Sequence, residues 1–177
     1  FPGFGEPLPS RQLRPAAVLV PIVARTTELT VLFTQRADHL LSHAGQVAFP
    51  GGKMEAADAG PLSTALRETE EEIGLHRRFV EPIGYLDCYQ TGSGFRIVPA
   101  VALIEPGFTL ALDRNEVADT FEVPLDFLLD RRNHQRHSRE WQGRERFYYA
   151  IRYGDRTIWG ATAGIVRNLT ERLARSC

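Results

Sequence analysis

Residues 51–75 read GGKMEAADAGPLSTALRETEEEIGL, and the second half of this stretch is a helix with both ends marked. Pro61 suits a first helical position and Gly74 suits the residue just past the last turn. Leu62, Leu66, Thr69 and Ile73 recur at spacings of four, three and four, with Ala65 at their edge, so one stripe faces a core. At about 100° per residue, Glu68, Glu71 and Glu72 share an arc of roughly 100° on a different face. They lie in the last turns, where the helix macrodipole disfavours negative charge by ~0.3–1 kcal/mol each. The pair Glu68/Glu72, one turn apart, adds about 0.2–0.5 kcal/mol of repulsion.

A solvated acidic face accounts for glutamates on an arbitrary helix. Arg67 points elsewhere: it is i,i+4 with Glu71 in the less favourable order, which suits orienting a carboxylate better than stabilising a helix. A hard divalent cation would relieve the repulsion. Mg²⁺ takes oxygen ligands, usually a few carboxylates with waters and phosphate oxygens, and this face offers such a set.

The remainder of the chain bounds what that helix serves. With 177 residues, 43% of them hydrophobic and 24% charged, one domain with a substantial core is expected over residues 1–177. A net charge of −1 leaves no basic excess to neutralise a nucleic-acid backbone, so phosphate recognition is expected to be local. Cys88 and Cys177 give neither a metal-ligand spacing nor a disulfide framework, which suits a reducing cytosol and a cytoplasmic protein. The apolar run at residues 16–24 is too short to span a bilayer.

Residues 1–15 are rich in Pro and Gly and read as an irregular arm. Residues 16–24 and 29–34 read as strands, and residues 35–45 as a polar loop leading to a short strand at 46–49, before Pro50-Gly51-Gly52. After the acidic helix, strands are expected at 82–89 and 95–104, with Pro99 marking a bulge or an edge. Residues 115–123 begin as a loop and end in a strand, and residues 125–130 have room for one or two helical turns. The basic stretch 131–146 reads as a solvated loop; strands at 147–153 and 157–159 follow. Ile165, Leu169 and Leu173 mark a closing amphipathic helix over 161–174. This order gives an α/β fold, an α/β/α sandwich on a mixed sheet.

The run Arg67-Glu68-Thr69-Glu70-Glu71-Glu72-Ile73-Gly74-Leu75 resembles the second half of the Nudix box, R-E-U-x-E-E-x-G-U, with Thr69 in place of a bulky apolar residue. Gly52, Glu55 and Asp58 stand in the expected order upstream, one residue further from Arg67 than in the standard box. A second segment, LFTQRADHLLSHAGQVAFPGG at residues 32–52, resembles the extra motif of the coenzyme A diphosphatase branch, with Phe33 for its second leucine and Leu41 for its second arginine. Weaker echoes lie at residues 14–21 and 157–165.

The resemblance implies a catalytic loop-helix-loop and metal-dependent hydrolysis of a diphosphate linked to another group. For coenzyme A the products are 3′,5′-ADP and 4′-phosphopantetheine. It implies Mg²⁺ or Mn²⁺ held by Glu68 and Glu72, with Glu71 as a third ligand or water-polarising group, and a backbone carbonyl at Gly51 or Gly52. Arg67 orients the carboxylates, and Glu116 is the later acidic residue best placed as a base, weighed evenly against a solvated loop glutamate. Arg36 is the expected phosphate contact, with His43, Gly45 and Phe49 in the same substrate-binding segment; the basic stretch at residues 131–146 could reach a 3′-phosphate, weighed against its reading as a solvated loop. The expected partner is a small molecule, with no nucleic acid and no membrane; a homodimer is the assembly considered. ADP-ribose, a dinucleotide, or a nucleotide-sensing role without catalysis are the alternatives.

Overall fold

The fold rests on one long apolar strand with two cores. The computed structural model describes residues 13–41, 43–141 and 144–175. Strand β1 (Arg14–Ala24) sends Ala17, Leu19 and Val23 to one face of a sheet and Val20 and Ile22 to the other. A strand buried on both faces needs apolar residues throughout, which is why residues 16–24 show no alternation.

β1 runs parallel to β7 (Phe95–Ile104), with ten paired positions from Arg14↔Phe95 to Val23↔Ile104. It runs antiparallel to β2 (Leu29–Arg36) and β4 (Gly51–Lys53). Outside these lie β3 (Val47–Ala48) and β8 (Val117–Pro124) against β2, and β5 (Val80–Tyr85) and β6 (Tyr89–Gln90) against β7. The sheet of eight strands is therefore mixed. A second, antiparallel sheet is a ribbon in the order β11 (Arg156–Trp159), β10 (Arg144–Tyr153), β9 (His134–Trp141).

Helix α1 (Pro61–Ile73) covers one face of the main sheet, where Ala65 and Ile73 meet Ala17, Leu19, Ala100, Ala102 and Ile104. On the other face α2 (Leu125–Leu129), α3 (Gly160–Arg175) and the ribbon close over Val20, Phe33, Val101, Ile151, Ile158 and Leu169. Phe33 is fully buried between Phe49, at 4.9 Å between ring centroids, and Phe121, at 5.7 Å. The α/β/α layering is as expected from the order of elements.

Several local expectations need correcting. Residues 131–141 and 144–146 are not a loop: a short 3₁₀ turn leads directly into β9, which pairs with β10 over eight positions. Pro99 lies in a central strand, not at an edge. It sits where the neighbour of β7 changes from β5, which pairs with residues 100–104, to β6, which pairs with 96 and 97, so no ladder bond needs its missing N–H. The bulge falls across the sheet, between Pro82 and Gly84 of β5. Gly51–Lys53, which follow the expected strand at 46–49, form a strand of their own, β4. Of the arm expected at 1–15, residues 1–12 lie outside the described residues, and Arg14 and Pro15 already belong to β1.

Among the described residues no helix is long and apolar enough to cross a membrane. Replacing Phe33 by Ala removes the ring shared by two stacks and is expected to cost about 3–5 kcal/mol. A denaturant titration measures this; a loss below about 1 kcal/mol would show that Phe33 is not the keystone of that core.

Candidate active site

Helix α1 starts at Pro61, after Gly60, and stops at Gly74, whose φ of 69° places it in the left-handed region. The Gly74 N–H donates to the Glu70 carbonyl, closing the last turn. Thr69 occupies its apolar-facing position fully buried, because its hydroxyl donates back to the Ala65 carbonyl at 2.6 Å.

The three glutamates have three different environments. Glu72 is buried, 5% exposed, and its Oε2 accepts the Gly51 N–H at 3.0 Å. Burial pushes its carboxyl up to about 7; Glu116 and Glu68 push the same way, while the Gly51 N–H and Arg36 oppose them. Glu68 is half-buried and also raised by burial, against the pull of Arg67. Glu71 is mostly exposed. Glu116 is an exposed loop residue whose carboxylate is nonetheless close enough to raise both Glu68 and Glu72.

Arg67 ties this face together. It grips Asp58 with two parallel bonds, Nε to Oδ1 at 3.1 Å and Nη2 to Oδ2 at 3.0 Å. Its Nη1 donates to Glu68 at 2.9 Å and Glu71 at 3.0 Å, and its Nη2 also reaches the Lys53 carbonyl at 3.1 Å. Asp58 in turn accepts the Glu55 N–H and the Thr64 hydroxyl, each at 2.9 Å. Arg67 holds the Asp58 carboxyl well below the usual carboxylate range. Asp58 was legible only as a motif position; its anchoring of Arg67 emerges from the fold.

Two glycines let the strand approach the helix. A Cβ on Gly52 would stand 2.4–2.5 Å from the Glu68 carboxylate, and one on Gly51, where φ is 150°, would stand 2.4 Å from the Ala17 carbonyl. Neither position accepts a side chain without displacing backbone or carboxylate.

The segment before β3 folds back on itself. The Arg36 N–H donates to the Gln46 carbonyl at 2.9 Å, and the Gly45 N–H to the Arg36 carbonyl at 3.2 Å. Arg36 Nε is buried with no hydrogen-bond partner, and its charge is felt at Glu72. A buried guanidinium donor left open beside a carboxylate cluster is the arrangement an anion completes. Gly45 has φ of 67°, and a Cβ there would touch Asp38. His43 is exposed, with φ of 59°, its ring bonded to Gln46 at 2.9 Å and away from the glutamates. Phe49 is 4% exposed and stacked on Phe33, so the expected substrate contact is replaced by core packing. Leu41, where the motif carries arginine, is fully exposed.

Among the described residues no three His, Cys, Asp or Glu side chains close on a common metal position. Arg67 draws Glu68 and Glu71 to itself, and Glu72 turns to the Gly51 N–H. The donors are all oxygens, and burial, with the like charges of Glu116 and Glu68 added to it, depresses the ionisation of Glu72. Such a set fits a hard cation that keeps waters and needs few carboxylates.

A NUDIX domain model matches residues 13–144. An uncharacterized Nudix hydrolase, NudL, of Yersinia pestis is 40% identical over 161 residues, covering 91% of this chain and 80% of the relative. Among solved structures, the Nudix hydrolase RenU of M. smegmatis superposes with a TM-score of 0.63 at 17% identity, over 92% of this chain and 86% of its own. The C. elegans Ap4A hydrolase in a binary complex gives 0.60 at 14% identity, over 90% and 98%. The two structural likenesses speak for the fold, while the domain match and the 40% identity establish descent: the chain belongs to the Nudix hydrolases, enzymes that cleave pyrophosphate bonds of nucleoside diphosphate derivatives.

Proposed function

We propose that the substrate is coenzyme A or one of its derivatives, cleaved at the diphosphate to 3′,5′-ADP and 4′-phosphopantetheine. The observation that carries this reading is Arg36: the segment at residues 32–52, which resembles the coenzyme A diphosphatase motif, contains a folded loop between β2 and β3, at whose start the Arg36 guanidinium Nε is buried, open and felt at Glu72. A guanidinium in that position grips a phosphate oxygen of the diphosphate. The fully exposed Leu41 favours a second reading, another nucleoside diphosphate derivative such as ADP-ribose, since the motif arginine is missing there.

Glu68, Glu72 and Glu71, with the Gly52 carbonyl, are the groups to hold Mg²⁺ or Mn²⁺. Bound there, the cation supplies charge neutralisation of the diphosphate and a water of lowered pKa. The protein's own part is positioning. Arg67, fixed on Asp58 and the Lys53 carbonyl, keeps Glu68 and Glu71 on one side of the helix. The Gly51 N–H orients Glu72. Glu116 takes the proton as water oxygen bonds to phosphorus and the bridging oxygen departs. His43 and Gly45 shape the loop that presents Arg36.

Product analysis tests the substrate. With Mg²⁺ or Mn²⁺ present, chromatography is expected to show 3′,5′-ADP from coenzyme A, and a drop of at least ~10²-fold in kcat for Glu72→Gln, a size typical of a lost charge-stabilising group. Arg36→Ala is expected to weaken turnover about tenfold or more. Coenzyme A left intact while ADP-ribose is cleaved would overturn the substrate reading and leave the glutamate chemistry standing.

The buried Glu72 also sets a pH dependence of stability in metal-free protein. Its carboxyl titrates near 7 when folded and near 4.5 when exposed, so the folded state binds the proton more tightly. Stability is then greatest below about pH 4.5 with respect to this group, and is lost as pH rises toward and through 7, by at most about 3 kcal/mol. Melting scans in chelator between pH 5 and 8 should show the fall, and Glu72→Gln should flatten it. An equal slope in the variant would remove Glu72 as the cause.

A further inference from the structure

The ribbon of β9, β10 and β11 keeps its acidic side chains on one face. Residues directly opposite in an antiparallel pair share a face. On one face His134, Ile151 and Ile158 lie against α2 and α3, and both acidic residues of the three strands, Glu140 opposite Glu145, fall in the same set with Arg136 and Arg156. The other face carries His137, Arg139, Arg146, Tyr148, Arg152 and Trp159, and no strand residue on it is acidic.

Beside Arg146 on that face the His137 ring stacks on Tyr148, with centroids 5.5 Å apart and planes at 24°, and Tyr148 meets Trp159 edge-on at 6.0 Å, with Trp159 still 39% exposed. Flat aromatic surface beside a guanidinium is the chemistry that receives a purine ring and a phosphate.

The face lies at the catalytic end of the main sheet. A Cβ on Gly92, in the turn between β6 and β7, would be 3.1 Å from Arg146 Nη1. Arg14 donates to the Ser93 carbonyl of the same turn at 3.1 Å. Arg14 is three residues from Ala17, which pairs with Gly52, a distance of about 10 Å along the strand. Just past β11, at the start of α3, the Thr162 hydroxyl donates to the Val47 carbonyl at 3.1 Å, beside the loop that holds Arg36.

We propose that this face binds the nucleotide half of the substrate, with Tyr148 and Trp159 against the base and Arg146 on a phosphate borne by the sugar outside the diphosphate. This rests on the coenzyme A reading, because coenzyme A carries such a phosphate at its 3′ position.

Calorimetric titration of metal-free protein with 3′,5′-ADP and with 5′-AMP tests the site without turnover. Binding of 3′,5′-ADP is expected to be about tenfold tighter, the preference lost in Arg146→Ala and partly kept in Arg146→Lys, while Tyr148→Ala weakens both nucleotides. Equal affinity for the two nucleotides, a preference that survives in Arg146→Ala, or tighter binding of a single-stranded oligonucleotide would overturn the proposal. In turnover, the ratio of kcat/KM for coenzyme A over dephospho-coenzyme A should fall about tenfold in Arg146→Ala, through KM. If the wild-type enzyme cleaves no coenzyme A, the substrate reading fails, and the nucleotide preference still decides the subsite by itself.

Discussion

Like charge held at close range is the constraint on which the site depends. Glu68, Glu71, Glu72 and Glu116 converge at one end of the sheet, and one of them, Glu72, is removed from water. Left alone, such a cluster would push helix α1 away from β4. Arg67 prevents this, and it can do so because Asp58 fixes two of its donors and Lys53 accepts a third contact. The guanidinium is thus a rigid strut between the loop at 54–60 and the helix. The glycines at 51 and 52 are the other half of the same arrangement, since only a backbone without side chains reaches the Glu68 and Glu72 carboxylates.

The helix was readable in the sequence because its signals are local. Pro61 and Gly74 mark its ends, and a 3.6-residue period needs no knowledge of the partner surface. The burial of Glu72 was not readable: periodicity separates Glu68, Glu71 and Glu72 from the apolar stripe but does not say which of them the glycine strand will cover. Thr69 stands where the box has an apolar residue and is accommodated because its hydroxyl bonds within the helix, a local solution invisible at the level of pattern. Asp58 lay in view as a motif residue. Its bond to Arg67 depends on how the loop returns to the helix, which only the fold supplies.

The ribbon failed to show itself for a different reason. Residues 131–146 are dominated by Arg, His, Glu and Gln, so strand-forming residues are too few for a β pattern to rise above a polar background. Yet period two is there once pairing is known: Glu140 and Glu145 share a face with Arg136 and the buried His134, while His137, Arg139 and Arg146 take the other. Both faces of β9 carry charge, so no hydrophobic alternation marks the strand. Phe49 shows the converse: it lies within a motif tied to substrate, and its ring completes the stack on Phe33. A motif residue can be fixed by packing that holds a neighbouring group in place.

The parallel pairing of β1 with β7 carries a consequence for the order in which this enzyme forms. Arg14 and Phe95 meet across a closed loop of roughly eighty residues, and the two strands stay paired over ten positions. Contacts so distant in sequence come late, because the entropy of closing the loop is spent before the pairing rewards it. Helix α1 lies inside that loop and can gain its hydrogen bonds early, whereas Gly51 reaches Glu72 only once β4 has docked on β1. A nascent chain therefore carries these glutamates in water until the central sheet closes.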